Sequence, residues 1–227
     1  MSKRFFTSDW HLCSPGIIQC AHRPFKTTEQ MNKRIIQLAN SKAKDKTDVI
    51  IHLGDFIQYN KDKHYEDKRC VGGEKIKPKE FINQLNASFI NIEGNHDPSN
   101  KMKSFCKFIK DFNIGSFEDA SIGHYPSHME EAKGQFTSHK FKKDWTIRLC
   151  GHVHQWWKYY FDEENRILNI NVGLDAWKGN IVSEDEIIKY VNKIENNINE
   201  RFPFKFSVIL KYLFVKKEGK KDDESND

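Results

Sequence analysis

Five short motifs follow one another along the sequence: Asp9-Trp10-His11, Gly54-Asp55, Gly94-Asn95-His96-Asp97, His124 and Gly151-His152-Val153-His154. Carboxylates mixed with imidazoles suit Mn, Fe, Zn, Co or Ni, whereas all-oxygen sites suit Mg or Ca. One ion takes three or four such ligands. Asp9, His11, Asp55, Asn95, His124, His152 and His154 make seven, too many for one ion and suited to two that share a carboxylate. Two ions about 3.5–4 Å apart are a standard device for phosphoester cleavage: the phosphate oxygens sit on the metals, and a hydroxide between them attacks phosphorus in line.

Singly, these motifs say little. A Gly-Asp pair is commonly a turn, and an Asn-His pair commonly caps a loop. Their positions say more. Lys3 to Thr7, Val49 to Leu53, Ser88 to Ile92 and Thr146 to Cys150 read as strands, and a motif follows each of them. Ligands of open α/β sheets bind beyond the carboxyl ends of strands, so motifs spread over the chain are expected to meet in space. Further strands are predicted over Trp156 to Phe161 and Ile167 to Val172. Thr27-Thr28-Glu29-Gln30 and Ser183-Glu184-Asp185-Glu186 read as capping boxes. Met31, Ile35 and Leu38 mark one face of the first helix behind them, and Ile187, Val191 and Ile194 one face of the second. Phe81, Ile82 and Leu85 after Pro78 suggest a further helix, as do Met102, Phe105, Ile109 and Phe112. The alternation predicts an α/β protein with helices on the faces of its sheet.

The ordered set of motifs resembles the signature of the calcineurin-like metallophosphoesterases, D-x-H, G-D, G-N-H-[D/E], H and G-H-x-H, over residues 3–190. The resemblance implies a four-layer α-β-β-α sandwich with two mixed β-sheets, and two divalent metal ions, Mn²⁺ first, with Fe, Ni, Co or Zn as alternatives. It assigns Asp9, His11, Asp55 and His154 to the first ion. Asp55 then bridges, and Asn95, His124 and His152 complete the second. His96 would stand beside the phosphate as general acid or transition-state stabiliser. Asp97 would orient it, or else cap the loop before Pro98. Among His124, His128 and His139, the Tyr125-Pro126 pair after His124 favours the first. Arg23-Pro24-Phe25, His124-Tyr125-Pro126 and Asn171 to Trp177 are similar to small bacterial and phage phosphoesterases of the same kind.

Several neighbours of these motifs have two readings. Arg23 could offer its fork to a substrate phosphate or sit in a structural ion pair. Asp175 could support a ligand histidine or close a turn. His52 is expected to be a buried, hydrogen-bonded strand residue. Of Trp156 and Trp157, one is expected in the core by strand alternation, and the other could stack on a base or aromatic leaving group.

Composition sets the outer limits. With 227 residues, 37% hydrophobic and 13% aromatic, the chain can bury a sizeable core. No apolar run reaches the roughly 20 residues of a membrane span, and the N-terminus turns polar too soon for a signal peptide. Five cysteines without a CxxC pair argue against a disulfide framework and for the cytoplasm. Net charge +5 and a pI near 8.8 suit an anionic partner: a phosphate-ester substrate, extending to nucleotides or nucleic acid. The expectation is a phosphodiesterase or phosphatase, with a DNA or RNA nuclease as the alternative. Residues 1–215 are read as one domain, with a charged surface insertion at 58–77 and an apolar element at 200–215. The tail 216–227, with four lysines and five acidic residues, is expected to be disordered.

Overall fold

The computed structural model describes residues 2–58, 78–97, 103–136 and 145–198. Most of the charged insertion, the apolar element and the tail fall outside the described residues. The chain divides into two compact units, Met1–Ile187 and Ile188–Asp227. The first carries two mixed sheets, as expected of a metallophosphoesterase. One has four strands in the order β3 (Ser88–Asn91), β2 (Val49–His52), β1 (Arg4–Thr7), β9 (Val182–Ser183). The other has five, β4 (Phe108–Ile114), β5 (Phe117–Gly123), β6 (Thr146–Cys150), β8 (Ile167–Asn171) and β7 (Tyr159–Asp162).

Strands β1, β2 and β3 are mutually parallel, as are β5, β6 and β8. Each set therefore presents its carboxyl ends along one edge. A parallel bridge between Ser8 and Gly173 ties the exit of β1 to that of β8, and so one sheet to the other.

Helices α1 (Pro15–Cys20), α2 (Thr28–Lys42) and α3 (Pro78–Ile82) share a core with one face of the first sheet. Ile17, Met31, Ile35, Ala39 and Phe81 are buried there with Phe5 and Ile50. Phe6 points the other way, by the two-residue period of a strand, and meets Phe112 of the second sheet edge to face at 6.0 Å. Both caps are present, the first with Gln30 Oε1 accepting from the Lys26 peptide and the second as a full capping box. The Gln30 peptide donates to Thr27 Oγ1 at 3.2 Å, a cap worth about 1 kcal/mol. Ser183 and Glu186 exchange reciprocal bonds ahead of α4 (Glu184–Ile198), in which Ile187, Val191 and Ile194 are buried. The part of α4 from Ile188 onward is what is described of the second unit.

One predicted helix is a strand. Phe105, Ile109 and Phe112 follow helical spacing, yet Phe108–Ile114 forms β4, antiparallel to β5. Register shifts between Ile109 and Phe112, with Asp111 at φ 51°, break the alternation of the strand and let its apolar residues fall three apart. The strand predicted from Trp156 begins only at Tyr159. Trp156 is 74% exposed and Trp157 half-buried, so neither enters the core.

Candidate metal centre

Every predicted ligand lies just beyond a strand exit. Asp9 and His11 follow β1, Asp55 follows β2, Asn95 follows β3, His124 follows β5, and His152 and His154 follow β6. The exits are laced together by main-chain bonds: Asp9 N to Gly54 O at 3.0 Å, His11 N to Asp55 O at 2.9 Å, and Gly151 N to His124 O at 2.9 Å. Hydrophobic residues anchor each loop from behind. Trp10, between Asp9 and His11, is fully buried, as is Phe56 after Asp55, and Val153 between the two histidines is 5% exposed. Truncating an anchor such as Trp10 costs about 3–5 kcal/mol, so the ligands stand on a firm base.

The loops are bent where side chains seldom go. Asp9, His11, Asp55, His152 and His154 all have positive φ, between 47° and 71°. Each such residue costs about 1–3 kcal/mol, and strain of this kind concentrates at functional sites. The strain lets the chain turn sharply enough to aim two ligands from one loop. Glycine makes the close approaches possible. A Cβ at Gly94 would meet the Asp55 carboxylate and peptide, and one at Gly151 would meet Ser8 Oγ and, at 2.5 Å, Asp9 Oδ2. Gly151→Ala is therefore expected to lose about 1–3 kcal/mol through forced overpacking. Thermal unfolding reads this as a drop of about 2–4 °C per kcal/mol for a chain of this size.

The side chains meet around Asp55. His11 Nε2 lies 3.5 Å and His124 Nε2 3.3 Å from Asp55 Oδ2. Asp9, His11 and His154 form one group with donor atoms within 4.8 Å of one another, His11, Asp55 and His96 a second, and Asp9, Asp55 and His124 a third. On the far side Asn95 Oδ1 is 2.9 Å from His124 Nε2 and 3.1 Å from His152 Nδ1.

The histidines are held in set orientations. His11 Nδ1 faces Gln58 Oε1 at 3.0 Å, His124 Nδ1 donates to Leu53 O at 2.8 Å, and His154 Nδ1 lies 3.0 Å from Asp175 Oδ2. In each case Nε2 is left as the inward donor, the arrangement that outer hydrogen bonds give metal-binding imidazoles. His152 presents Nδ1 instead. His11 Nε2 is buried without a hydrogen-bond partner, although it is close to two carboxylates. An orphaned nitrogen facing Asp9 and Asp55 fits a cation between them.

Electrostatics agree. Burial pushes His11 down to about 3. Burial, then the neighbouring His124, takes His152 down to about 4. Both therefore stay neutral, with a lone pair free for a cation. Burial would lower His124 too, but Asp55 outweighs it and lifts that imidazole to about 9. Burial would raise Asp55, yet His124 and its other polar neighbours hold it well below the usual carboxylate range. Asp9 is pushed up, by burial first. Asp55 thus draws positive charge toward itself, and with the orphaned His11 Nε2 beside it the residues present fit a divalent cation there.

His52 is placed as expected, while Asp97 and Arg23 take the structural one of their two readings. His52 is buried and bonded to Asn91 Oδ1 at 2.9 Å. The Asp97 carboxylate accepts from the peptides of Asp55, Phe56 and Gly94 at 2.8–3.0 Å and from Asn91 Nδ2 at 3.1 Å. It fastens the Gly54-Asp55 loop to the Gly94-Asn95 loop, the loop-capping alternative. Arg23 is 7% exposed, and its fork turns inward to Asp175 and to the carbonyls of Asp9 and Trp10, not outward to a phosphate. Sequence reasoning missed Gln58. It also missed Asn171, which holds His154 O and Trp157 O through Nδ2. Gln58 carries no signal beyond its nearness to a motif, whereas Asn171 opens the Asn171 to Trp177 segment, whose resemblance gave it no role of its own. His96 belongs to the same cluster, with Nε2 4.0 Å from Asp55 Oδ2 and a side chain 38% exposed.

Comparison with known proteins bears on family and fold. The calcineurin-like phosphoesterase model matches residues 3–194. MJ1445 of Methanocaldococcus jannaschii, an uncharacterised protein, is 29% identical over 197 residues, 85% of this chain and 93% of its own length. The crystal structure of AQ665 from Aquifex aeolicus, of unknown function, has a similar fold, with a TM-score of 0.53 at 23% identity. The match covers 84% of this chain and 100% of that one. With the family model spanning both sheets and every motif, the chain belongs to the calcineurin-like phosphoesterases.

Proposed function

We propose that the chain is a dinuclear-metal phosphoesterase. Asp9, His11, Asp55 and His154 hold a first ion, and Asp55, Asn95, His124 and His152 a second. The observation that carries this reading is the position of the Asp55 carboxylate, 3.3 Å from His124 Nε2 and 3.5 Å from His11 Nε2, between the two donor groups. Mn²⁺ is the proposed ion, since mixed imidazole and carboxylate donors suit it. Bound there, two divalent cations supply charge for the phosphate oxygens and acidify an attacking water.

The chain's own residues set the direction of approach. Asp9, His11, Asp55 and His124 are buried, whereas Asn95 is exposed and His96, His152 and His154 are partly exposed. The phosphate ester enters over this second set. His96 stands at the open edge, where it meets the leaving-group oxygen and gives it a proton. Asp97 holds the loop that carries His96 against the Asp55 loop. Among the described residues no helix is long and apolar enough to cross a membrane.

The test is hydrolysis of bis-p-nitrophenyl phosphate and p-nitrophenyl phosphate, side by side, in metal-stripped protein refilled with Mn²⁺, Ni²⁺, Mg²⁺ or Zn²⁺. Turnover restored by Mn²⁺ is expected, and the diester-to-monoester ratio assigns the bond type. No turnover with any of the four metals would count against the reading.

A further inference from the structure

We propose that Arg23 and Asp175 form a positioning pair that fixes how tightly the first metal position binds, without either residue touching ion or substrate. This rests on the dinuclear reading above. Asp175 lies in the 3-10 turn Leu174–Trp177 after β8, and Arg23 follows α1. Their side chains are 8% and 3% exposed, so the ion pair is shielded from water. Arg23 Nε donates to Asp175 Oδ1 at 2.8 Å and one terminal nitrogen to Oδ2 at 3.0 Å, a bidentate fork.

The same guanidinium reaches the first ligand loop. One terminal nitrogen donates to Asp9 O at 2.6 Å, the other to Trp10 O at 2.7 Å, with Met31 Sδ 3.4 Å away. Five contacts match the five N–H groups of arginine, so no donor is left for a substrate. Asp175 Oδ2 in turn accepts from His154 Nδ1 at 3.0 Å. A chain of hydrogen bonds thus runs from the peptides of Asp9 and Trp10 through Arg23 and Asp175 to His154. It joins the first and last ligand loops, which sequence places at opposite ends of the domain.

The chemistry assigns the function. A carboxylate on Nδ1–H fixes the imidazole tautomer and makes Nε2 the better donor, and loss of such a partner typically costs about 10–100-fold in metal affinity. Arginine orients that carboxylate and neutralises its charge. Lysine cannot replace it, because a point charge cannot serve two carboxylate oxygens and two carbonyls at once. The second group, Asn95, His124 and His152, lies outside this chain of bonds. The pair should therefore act on one position and spare the other.

The experiment is titration of the metal-stripped full chain with Co²⁺, read by visible absorption. The wild type is expected to bind in two steps. In Asp175→Asn one of the two steps should weaken by about 10–100-fold, with the other unchanged, and Arg23→Lys should weaken the same step. A merely structural role would lower the unfolding temperature and weaken neither step selectively. Two steps as tight in both variants as in the wild type would overturn the pair's role. A wild type that takes up no Co²⁺ would overturn the dinuclear reading itself, and the pair's role with it. One further measurement needs no variant, in case both fail to fold. In ¹⁵N-histidine spectra of the Zn²⁺-loaded wild type, His154 should carry its proton on Nδ1 and the metal on Nε2. The reverse tautomer would overturn the proposal.

Discussion

Asp55→Asn is expected to abolish hydrolysis and to lower metal content at both positions. The Asp55 carboxylate lies near donors of each group, His11 on one side and His124 on the other. An amide keeps one oxygen acceptor but loses the negative charge and cannot bridge two cations. The fall in turnover should exceed about 100-fold, the upper end of what removal of a ligand's outer partner causes. The fold should survive. Asp55 Oδ1 accepts the His96 peptide at 2.8 Å, and the amide oxygen of the replacement can do the same. The Asp55 peptide keeps its bond to Asp97, which the substitution leaves alone. Metal per chain, measured beside the hydrolysis rate and the unfolding temperature, separates this outcome from simple unfolding. Full activity in the variant would remove Asp55 from the centre of the account.

His96→Ala should behave in the opposite way toward metal. The His96 side chain stands 4.0 Å from Asp55 Oδ2 and 5.2 Å, ring to ring, from His11, yet it is open to solvent as the buried ligands are not. A residue placed there can reach an incoming phosphate ester while the ions keep their ligands. Loss of a general acid costs about 10²–10⁴-fold. The variant should therefore lose that much turnover with its metal content nearly unchanged. The size of the loss should depend on the leaving group. An aryl oxide such as p-nitrophenolate departs with little help, whereas an alkoxide needs the proton. A larger loss on alkyl esters than on aryl esters identifies proton donation; an equal loss on both identifies stabilisation of the phosphoryl oxygens instead. Unchanged turnover on both would take His96 out of the reaction.

Much of the centre was legible in the sequence because short apolar strands run directly into the motifs. Val49-Ile50-Ile51-His52-Leu53 before Gly54-Asp55 needs no tertiary context to read as buried strand then turn. His124 was harder. Its strand, Phe117-Glu118-Asp119-Ala120-Ser121-Ile122-Gly123, carries two acidic residues and leaves no apolar run to read. The bulged β4 imitated a helix for a related reason, since its irregular register hides the two-residue period. The supporting partners were the least legible. Arg23 and Asp175 pair across 152 positions, and Gln58 meets His11 only because Leu12 and Ile57 come together in a bridge. Neither pairing leaves a local pattern. Asp97 shows the limit most plainly. A carboxylate after His96 could turn toward that ring or toward three peptides, and only the folded loops decide for the peptides.

The most direct test of the account is anomalous diffraction from crystals soaked in Mn²⁺. Two peaks about 3.5–4 Å apart are predicted, one within reach of Asp9, His11 and His154 and the other of Asn95, His124 and His152, with Asp55 in contact with both. A single peak, or two peaks that do not share Asp55, would contradict it.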